Sequence, residues 1–199
     1  MTRLKVNIQS NRVLTSDIIK KEKPDAVVIA TGASPLIPGI PGIGGKNTAT
    51  AIEILTGRKV AGETVAIIGG GLVGCETALF LPKKGKKVTV LEMLDGIGLD
   101  IGSHNRWLVL DTMKAAGITS VSRAKVVEVT GKGALAEKEG KRIFYRAETV
   151  VIAAGMLPSD DLSGKLKGLV TEVYMVGDCV SARRVREAIS EGFRAGLKM

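Results

Sequence analysis

Uninterrupted apolar runs recur along the chain and are separated by segments with helical spacing of their apolar residues. The runs are rich in Val, Ile and Ala and occupy Ala26–Ala30, Thr64–Ile68 and Thr149–Ala153. Strands of a parallel sheet are buried on both faces, and continuous apolar runs of this length are typical of them. We predict buried parallel strands at these three places, and further strands at Lys87–Leu91 and Glu172–Val176.

Apolar residues at helical spacing, together with capping and stop signals, predict helices between the strands. Ser16 and Asp17 can cap the first helix and Pro24 ends it. Trp107 and Met113 share a helical face, which indicates that both belong to the core. The predicted helices are Ile18–Lys23, Leu72 to about Lys84, His104–Ala116 and about Ala182 to Leu197.

Short alternating runs predict a different kind of strand. Lys125–Val129, Ala134–Lys138 and Arg142–Tyr145 are punctuated by glycines, a pattern that indicates an antiparallel meander. The alternation in Lys5–Gln9 predicts one more short strand near the start of the chain.

One pattern occurs twice: residues 25–35 and 148–158 each read as a buried strand, a glycine turn and a proline three residues on. Two related sheets, one nested inside the other, are therefore predicted. The glycine- and proline-rich crossing 38–45 marks a boundary. We expect domains at residues 1–45, 46–153 and 154–199, with the first and third forming one unit.

Composition and charge narrow the possible functions. The 199 residues are 45% hydrophobic, which excludes a disordered chain. The net charge is +9, but the basic residues are scattered and only 3% of residues are aromatic, so we expect no nucleic-acid partner. Two cysteines without CxxC spacing and one histidine predict neither disulfides nor a metal site, and favour a cytoplasmic protein. No apolar run reaches the roughly 18 residues of a membrane span, and we expect no membrane partner.

The strongest motif is a G-x-G-x-x-G sequence between a predicted strand and a predicted helix, which is the context that a dinucleotide-binding turn requires. Its glycines permit a tight turn, allow a pyrophosphate to approach the helix N-terminus, and let helix and strand pack closely. The candidate cofactor-binding residues of the turn are Gly69, Gly70, Gly71, Leu72, Val73 and Gly74.

Glu92 ends the next predicted strand, 18 residues after Gly74. A carboxylate at about 20 residues after the turn binds the ribose 2′-hydroxyl of NAD and repels the 2′-phosphate of NADP. We therefore expect NADH in preference to NADPH. The alternative interpretation of Glu92 is an exposed glutamate at a strand end.

Gly177 and Asp178 lie where a predicted strand ends and a helix begins. The Asp178 carboxylate could accept a hydrogen bond from a cofactor hydroxyl. It could equally cap the last helix. Cys75 and Cys179 are interpreted as packing residues.

These motifs resemble the two-dinucleotide-binding-domain flavoprotein reductases. The closest resemblance is to the NADH:flavin oxidoreductases of the 2-enoate reductase and 2,4-dienoyl-CoA reductase type. It rests on the glycine turns, on Asp100-Ile-Gly, on Arg106-Trp107 and on residues 178–192. The fold it implies is α/β: a Rossmann-like parallel sheet with an antiparallel β-meander, nested in an incomplete second Rossmann-like domain.

The resemblance also implies cofactors and residue roles. NADH would bind the inserted domain and pass hydride to FAD. An iron–sulfur cluster would then relay electrons from FAD to FMN in an N-terminal barrel. Glu76 would be catalytic, near the nicotinamide, and Asp178 would bind the FAD ribityl chain. The FAD side would be lined by Thr31 and Gly32, and the further cofactor-binding residues expected are Ala154, Gly155 and Gly177.

The sequence departs from that family by lacking a second G-x-G-x-x-G, the barrel and the cluster cysteines. We therefore expect a fragment that binds NADH and holds FAD weakly or not at all. Its expected partner is the missing N-terminal part, meaning the FMN barrel and first FAD segment, and a homo-oligomer is a further possibility. The alternatives are a non-catalytic dinucleotide-binding module and, disfavoured by the lack of a redox CxxC, a stand-alone disulfide or quinone reductase.

Overall fold

The computed structural model describes Leu4 and residues 6–199. These residues form two compact units. The central unit is Pro35–Met156, and the terminal unit combines the described residues up to Ser34 with Leu157–Met199.

A five-stranded, fully parallel sheet forms the centre of the central unit. Its strand order is β3-β10-β4-β5-β6. Burial of β4 and β10 explains their uninterrupted apolar sequence, since four of five β4 residues and all four β10 residues are buried. The strands are β3 (Thr48–Thr50), β4 (Thr64–Ile68), β5 (Lys87–Leu91), β6 (Thr119–Val121) and β10 (Thr149–Ile152).

Three helices belong to the same unit: α2 (Ala51–Leu55), α3 (Leu72–Phe80) and α4 (Ser103–Ala115). A capping box between Thr50 and Glu53 starts α2. The predicted helix 72–84 is divided: α3 ends at Phe80, and a 3-10 turn, Pro82–Lys84, follows. Pro82 has no N–H to continue the helical hydrogen bonds.

The predicted meander is confirmed as an antiparallel sheet of order β7-β8-β9. Its strands are β7 (Lys125–Thr130), β8 (Gly133–Lys138) and β9 (Lys141–Arg146). One hydrophobic cluster joins it to the parallel sheet, with Ala134 and Ala136 fully buried beside Val150. A second cluster, around Ile67, Cys75 and Met113, includes residues from the parallel sheet and its helices.

The terminal unit contains a two-stranded parallel sheet of β1 (Ala26–Ile29) and β12 (Glu172–Met175), paired from Ala26 with Glu172 to Ile29 with Met175. Its helices are α1 (Ser16–Glu22), α5 (Ser163–Leu166) and α6 (Val185–Gly196). Ile19, Ile29, Leu166 and Cys179 form its buried cluster. Two short strands, β2 (Ala33–Pro35) and β11 (Met156–Pro158), form a separate two-stranded sheet.

The α/β fold is confirmed: a parallel Rossmann-like sheet accompanied by an antiparallel meander. Four finer predictions were wrong. The strand at Ala26–Ala30 is not buried on both faces, since only Ile29 of β1 is buried and Val28 is 39% exposed. Within Lys5–Gln9, Lys5 lies outside the described residues, and residues 6–9 form no strand. Alternation of apolar and polar residues forms a strand only where a neighbouring strand is present to pair with it, and Ile8 is 63% exposed. Trp107 is not in the core but 64% exposed, because the buried face of α4 centres on Met113 instead. The last helix starts at Val185, not Ala182.

Candidate functional site

The glycine turn connects β4 to α3, and two of its glycines are required by close backbone contacts. Gly69 has φ of +102°, and a Cβ there would lie 2.3 Å from the Ala153 carbonyl oxygen. A Cβ at Gly74 would lie 2.1 Å from the Gly69 carbonyl oxygen. Glycine at 69 therefore lets the end of β4 approach the residue that follows β10, and glycine at 74 lets the first turn of α3 pack on the end of β4.

The turn borders a cavity of about 480 Å³ within the central unit. The last residues of three neighbouring parallel strands, Ile68, Leu91 and Ile152, also line it. Ligands of open parallel sheets bind at this edge, outside the carboxyl ends of the strands. The predicted site residues that line the cavity are Gly69, Gly70, Gly71, Leu72, Val73, Glu92, Ala154 and Gly155.

Glu92 follows β5 directly and lies at the cavity with only 7% of its surface exposed. Its Oε2 accepts the Gly70 N–H at 2.5 Å, and its Oε1 accepts the Leu94 N–H at 2.8 Å. The interpretation as an exposed strand-end glutamate is therefore wrong. A carboxylate has about four acceptor positions. Two backbone donors leave Glu92 able to accept further hydrogen bonds from a ligand in the cavity.

Asp100 is a site residue to which the sequence analysis assigned no role of its own. Both of its carboxylate oxygens lie 3.0 Å from the Leu72 nitrogen, at the N-terminus of α3. Gly71 occupies the N-cap position without a side-chain cap, so Asp100 supplies the acceptor from 28 residues further along the chain. The sequence does show that α3 begins with a glycine and has no acidic residue in its first turn, so its N-terminal N–H groups need an acceptor from elsewhere. It does not show which residue supplies that acceptor.

Glu76 is exposed in the middle of α3 and is not among the residues that line the cavity. Gly74, two residues earlier, also does not line it, in keeping with its role in packing α3 on β4. The structure therefore places Gly69–Val73 and Glu92 around one cavity, and Glu76 is exposed on α3 outside that lining.

Both cysteines are buried, as expected for packing residues. Burial, together with the nearby Asp100 and Glu92 carboxylates, raises the pKa of the Cys75 thiol to about 11. The Cys179 thiol donates to backbone carbonyls of Val176 and Ile29, at 3.1 and 3.3 Å. Neither thiol is placed as an exposed redox-active group.

The remaining predicted site residues lie in the terminal unit. Thr31 donates its hydroxyl to the Ser159 carbonyl, and the Gly32 carbonyl accepts the Ser159 N–H at 3.0 Å. Gly177 follows β12 with φ of +72° and donates its N–H to Glu191 at 2.8 Å. That bond, with the Arg183 guanidinium at 2.7 Å, holds the pKa of Glu191 below its ordinary value.

Asp178 is half-buried, and its Oδ1 accepts the Arg183 N–H at 3.0 Å. Because α6 begins only at Val185, this bond closes a turn before the helix and does not cap it. The helix-cap alternative for Asp178 is therefore wrong. Its second oxygen, Oδ2, takes no part in that bond and can therefore accept a hydrogen bond from a ligand hydroxyl.

No helix among the described residues combines the length and apolar character needed to cross a bilayer. Within Leu4 and residues 6–199, no group of three His, Cys, Asp or Glu residues is placed to hold a metal ion.

The β4–α3–β5 unit, with its glycine turn and the acidic residue after β5, defines the central unit as a Rossmann-type dinucleotide-binding domain. Residues 2–192 match the pyridine nucleotide-disulphide oxidoreductase family, and the chain belongs to that family. Its members are oxidoreductases that bind NAD(P)H and FAD. The turn fits the pyrophosphate of such a dinucleotide, because Gly70 and Gly71 border the cavity without side chains and leave their backbone open to a close approach.

Several relatives match almost the whole chain. An NADH oxidase of Thermoanaerobacter brockii is 36% identical over 100% of this chain, and a cinnamate reductase of Clostridium sporogenes is 33% identical over 94% of it. The structure of a 2-naphthoyl-CoA reductase complex is 34% identical, with a TM-score of 0.94 over 100% of this chain. The chain spans 32%, 28% and 30% of those three proteins, respectively, so it corresponds to less than a third of each.

Proposed function

We propose that the chain is the NADH-binding, hydride-transferring module of an FAD-dependent oxidoreductase of the enoate-reductase type. The observation that carries this proposal is that the glycine turn and the Glu92 carboxylate line one cavity at the carboxyl edge of the parallel sheet. The names of the relatives, an NADH oxidase and a cinnamate reductase, support the type of reaction.

In this proposal, the residues of the turn have separate roles. Backbone N–H groups at Gly71 and Leu72 face the pyrophosphate, where the positive end of the α3 dipole favours anions. Glu92 accepts the ribose hydroxyls while its two backbone donors keep the carboxylate oriented. Ala154 and Gly155, which follow β10, border the same cavity and would contact the cofactor there.

Preference for NADH over NADPH follows from the charge at Glu92. A fixed carboxylate at the ribose repels a 2′-phosphate, whereas sites for NADP place an arginine near that phosphate. Among the described residues that line the cavity, Lys125 is basic and no arginine is present. The buried position of Glu92 prevents it from swinging into solvent to relieve the repulsion.

Hydride transfer requires a flavin next to the nicotinamide, and FAD supplies the acceptor when it is bound. We assign Asp178 to the flavin ribityl hydroxyls, through its Oδ2, with Gly177, Thr31 and Gly32 as neighbouring backbone. Glu76 is assigned to the nicotinamide side. The flavin diphosphate turn, the iron–sulfur cluster and the FMN barrel are proposed to come from the remainder of a longer enzyme, since the relatives are about three times as long.

The proposal is tested by titrating the purified chain with NADH and NADPH by calorimetry. We expect NADH to bind more tightly than NADPH. Glu92→Ala should lower the affinity for NADH and reduce the preference for NADH over NADPH. Loss of hydrogen bonds to a charged acceptor costs about 1.5–3 kcal/mol, or roughly 10- to 100-fold in Kd. Glu128→Ala, which removes an exposed carboxylate from β7, is the matched control. Unchanged NADH affinity in Glu92→Ala would contradict the assignment.

A second measurement separates a hydride-transferring module from a non-catalytic dinucleotide-binding one. The chain is purified with its natural flanking sequence, and reduction of the bound flavin by NADH is followed by stopped-flow absorbance. We expect rapid flavin reduction that Glu92→Ala slows at low NADH concentration. NADH binding without flavin reduction would favour the non-catalytic alternative.

A further inference from the structure

The N-terminus of α3 already holds an anion, and that anion belongs to the chain. Asp100 places both carboxylate oxygens 3.0 Å from the Leu72 nitrogen. In a dinucleotide-binding turn the ligand pyrophosphate uses the donors of this helix end. A carboxylate at 3.0 Å and a phosphate cannot share the same N–H, because each needs the position that the other occupies.

The position of Asp100 is fixed by the segment that carries it. The Gly98 N–H donates to the Gly70 carbonyl at 2.6 Å, so the segment is bound to the glycine turn itself. Ile97 and Ile101, on either side, are 6% and 8% exposed and belong to the hydrophobic core. Arg106 adds a hydrogen bond at 2.8 Å to the Ile97 carbonyl.

The Asp100 side chain itself can move away without disturbing that core. It is exposed, whereas its neighbours Ile97 and Ile101 are buried and stay in place. Rotation about its side-chain bonds would release the Leu72 N–H toward the cavity, which both Leu72 and Asp100 line. The segment therefore holds the Asp100 carboxylate at the Leu72 N–H, and rotation of the side chain would move the carboxylate into solvent.

We propose that Asp100 is an internal competitor of the dinucleotide pyrophosphate: it occupies the anion position at α3 and must be displaced when NADH binds. This inference rests on the proposed function of the glycine turn. Its consequence is an affinity for NADH lower than the turn alone would give, since binding includes the loss of the Asp100–Leu72 interaction and the approach of two like charges.

The proposal predicts opposite effects of one substitution on stability and on binding. Asp100→Asn preserves the size of the side chain and an oxygen acceptor but removes the negative charge. Without ligand, the variant should melt at a lower temperature, because a charged acceptor at the helix N-terminus is lost. NADH should bind the variant about three- to tenfold more tightly than the wild-type chain, because the pyrophosphate no longer competes with a negative charge for the helix N-terminus.

The test is calorimetric titration of the full chain with NADH, with ADP-ribose and with adenosine. Asp95→Asn is the matched control, since Asp95 is exposed in the same segment and is not among the residues that line the cavity. We expect tighter NADH and ADP-ribose binding in Asp100→Asn and Asp100→Ala, and no change in Asp95→Asn. Adenosine has no phosphate and should bind all four proteins equally.

The outcomes separate this proposal from the proposed function. Binding of NADH by the wild-type chain with an equal or higher Kd in both Asp100 variants would overturn the inference alone. A lower melting temperature with unchanged NADH affinity would assign Asp100 a purely structural role and also overturn it. Failure of every variant and of the wild-type chain to bind NADH or ADP-ribose would overturn the proposed function and the inference with it.

Discussion

Replacing Gly74 by alanine tests whether the close contact of α3 with the end of β4 requires a glycine. The added methyl would lie 2.1 Å from the Gly69 carbonyl oxygen and 3.0 Å from its carbon. Both atoms belong to the backbone, so no flexible side chain can move aside. Relief of the contact requires a displacement of α3 relative to the turn by about 1 Å, to restore ordinary van der Waals separation.

Two free-energy terms of opposite sign decide the outcome. Alanine gains up to about 1 kcal/mol over glycine in a helix interior. Overpacking against a rigid neighbour costs about 1–3 kcal/mol and sometimes more. Because the contact here is with backbone, the second term should exceed the first, and we expect a net loss of about 1–2 kcal/mol in the free energy of unfolding. NADH affinity should fall as well, since the N-terminus of α3 is displaced from the glycine turn.

The measurement is urea unfolding followed by far-UV circular dichroism, with NADH titration of the folded variant. Gly44→Ala is the matched control, because Gly44 lies in the same unit with nothing within 4 Å of the position of its Cβ. The control should stay within about 0.5 kcal/mol of the wild-type chain. A Gly74→Ala protein as stable as the wild type, with unchanged NADH affinity, would refute the packing argument.

Three further predictions concern the core, the cysteines and acid stability. Met113→Ala, at a site 1% exposed, should lower the unfolding free energy by about 2–5 kcal/mol, whereas Trp107→Ala should change it by less than about 0.5 kcal/mol; urea titration compares them. Iodoacetamide at pH 8 should leave Cys75 and Cys179 unmodified until the chain unfolds, and mass spectrometry of the native protein reports any earlier labelling. Since the folded-state pKa of Glu191 is lowered, its contribution to stability is present above its unfolded pKa and is lost as pH falls through the folded value. Glu191→Gln should therefore destabilise the chain near neutral pH and become equal to the wild type in strong acid, as measured by thermal melting across pH.

The buried strands and the glycine turn could be predicted from the sequence because they depend on local patterns. The apolar runs at 64–68 and 149–152 are uninterrupted because both faces are covered, and that requirement is visible in the chain itself. Gly74 is needed by a contact close in sequence, with the Gly69 carbonyl, whereas Gly69 meets the Ala153 carbonyl from a distant part of the chain. The sequence did not predict β3 and α2, which are too short for a clear periodicity.

Features that depend on distant parts of the chain could not be predicted. The spacing of Trp107 fits a buried helix face, but the core of α4 is centred elsewhere and leaves this side chain exposed. Alternation near residues 6–9 does not create a partner for a strand. Asp100 reaches Leu72 across 28 residues, and no local signal reports such a contact. The position of Glu92 at a strand end was visible, but its two backbone donors were not.

The central claim is that a dinucleotide binds at the turn between β4 and α3, and NMR titration of the ¹⁵N-labelled chain with NADH tests it most directly. We predict that the largest amide shifts occur at Gly70, Gly71 and Leu72, with a further shift at Leu94, whose N–H is bound to Glu92. Saturable shifts confined to residues outside the cavity, or no shifts at millimolar NADH, would contradict the account.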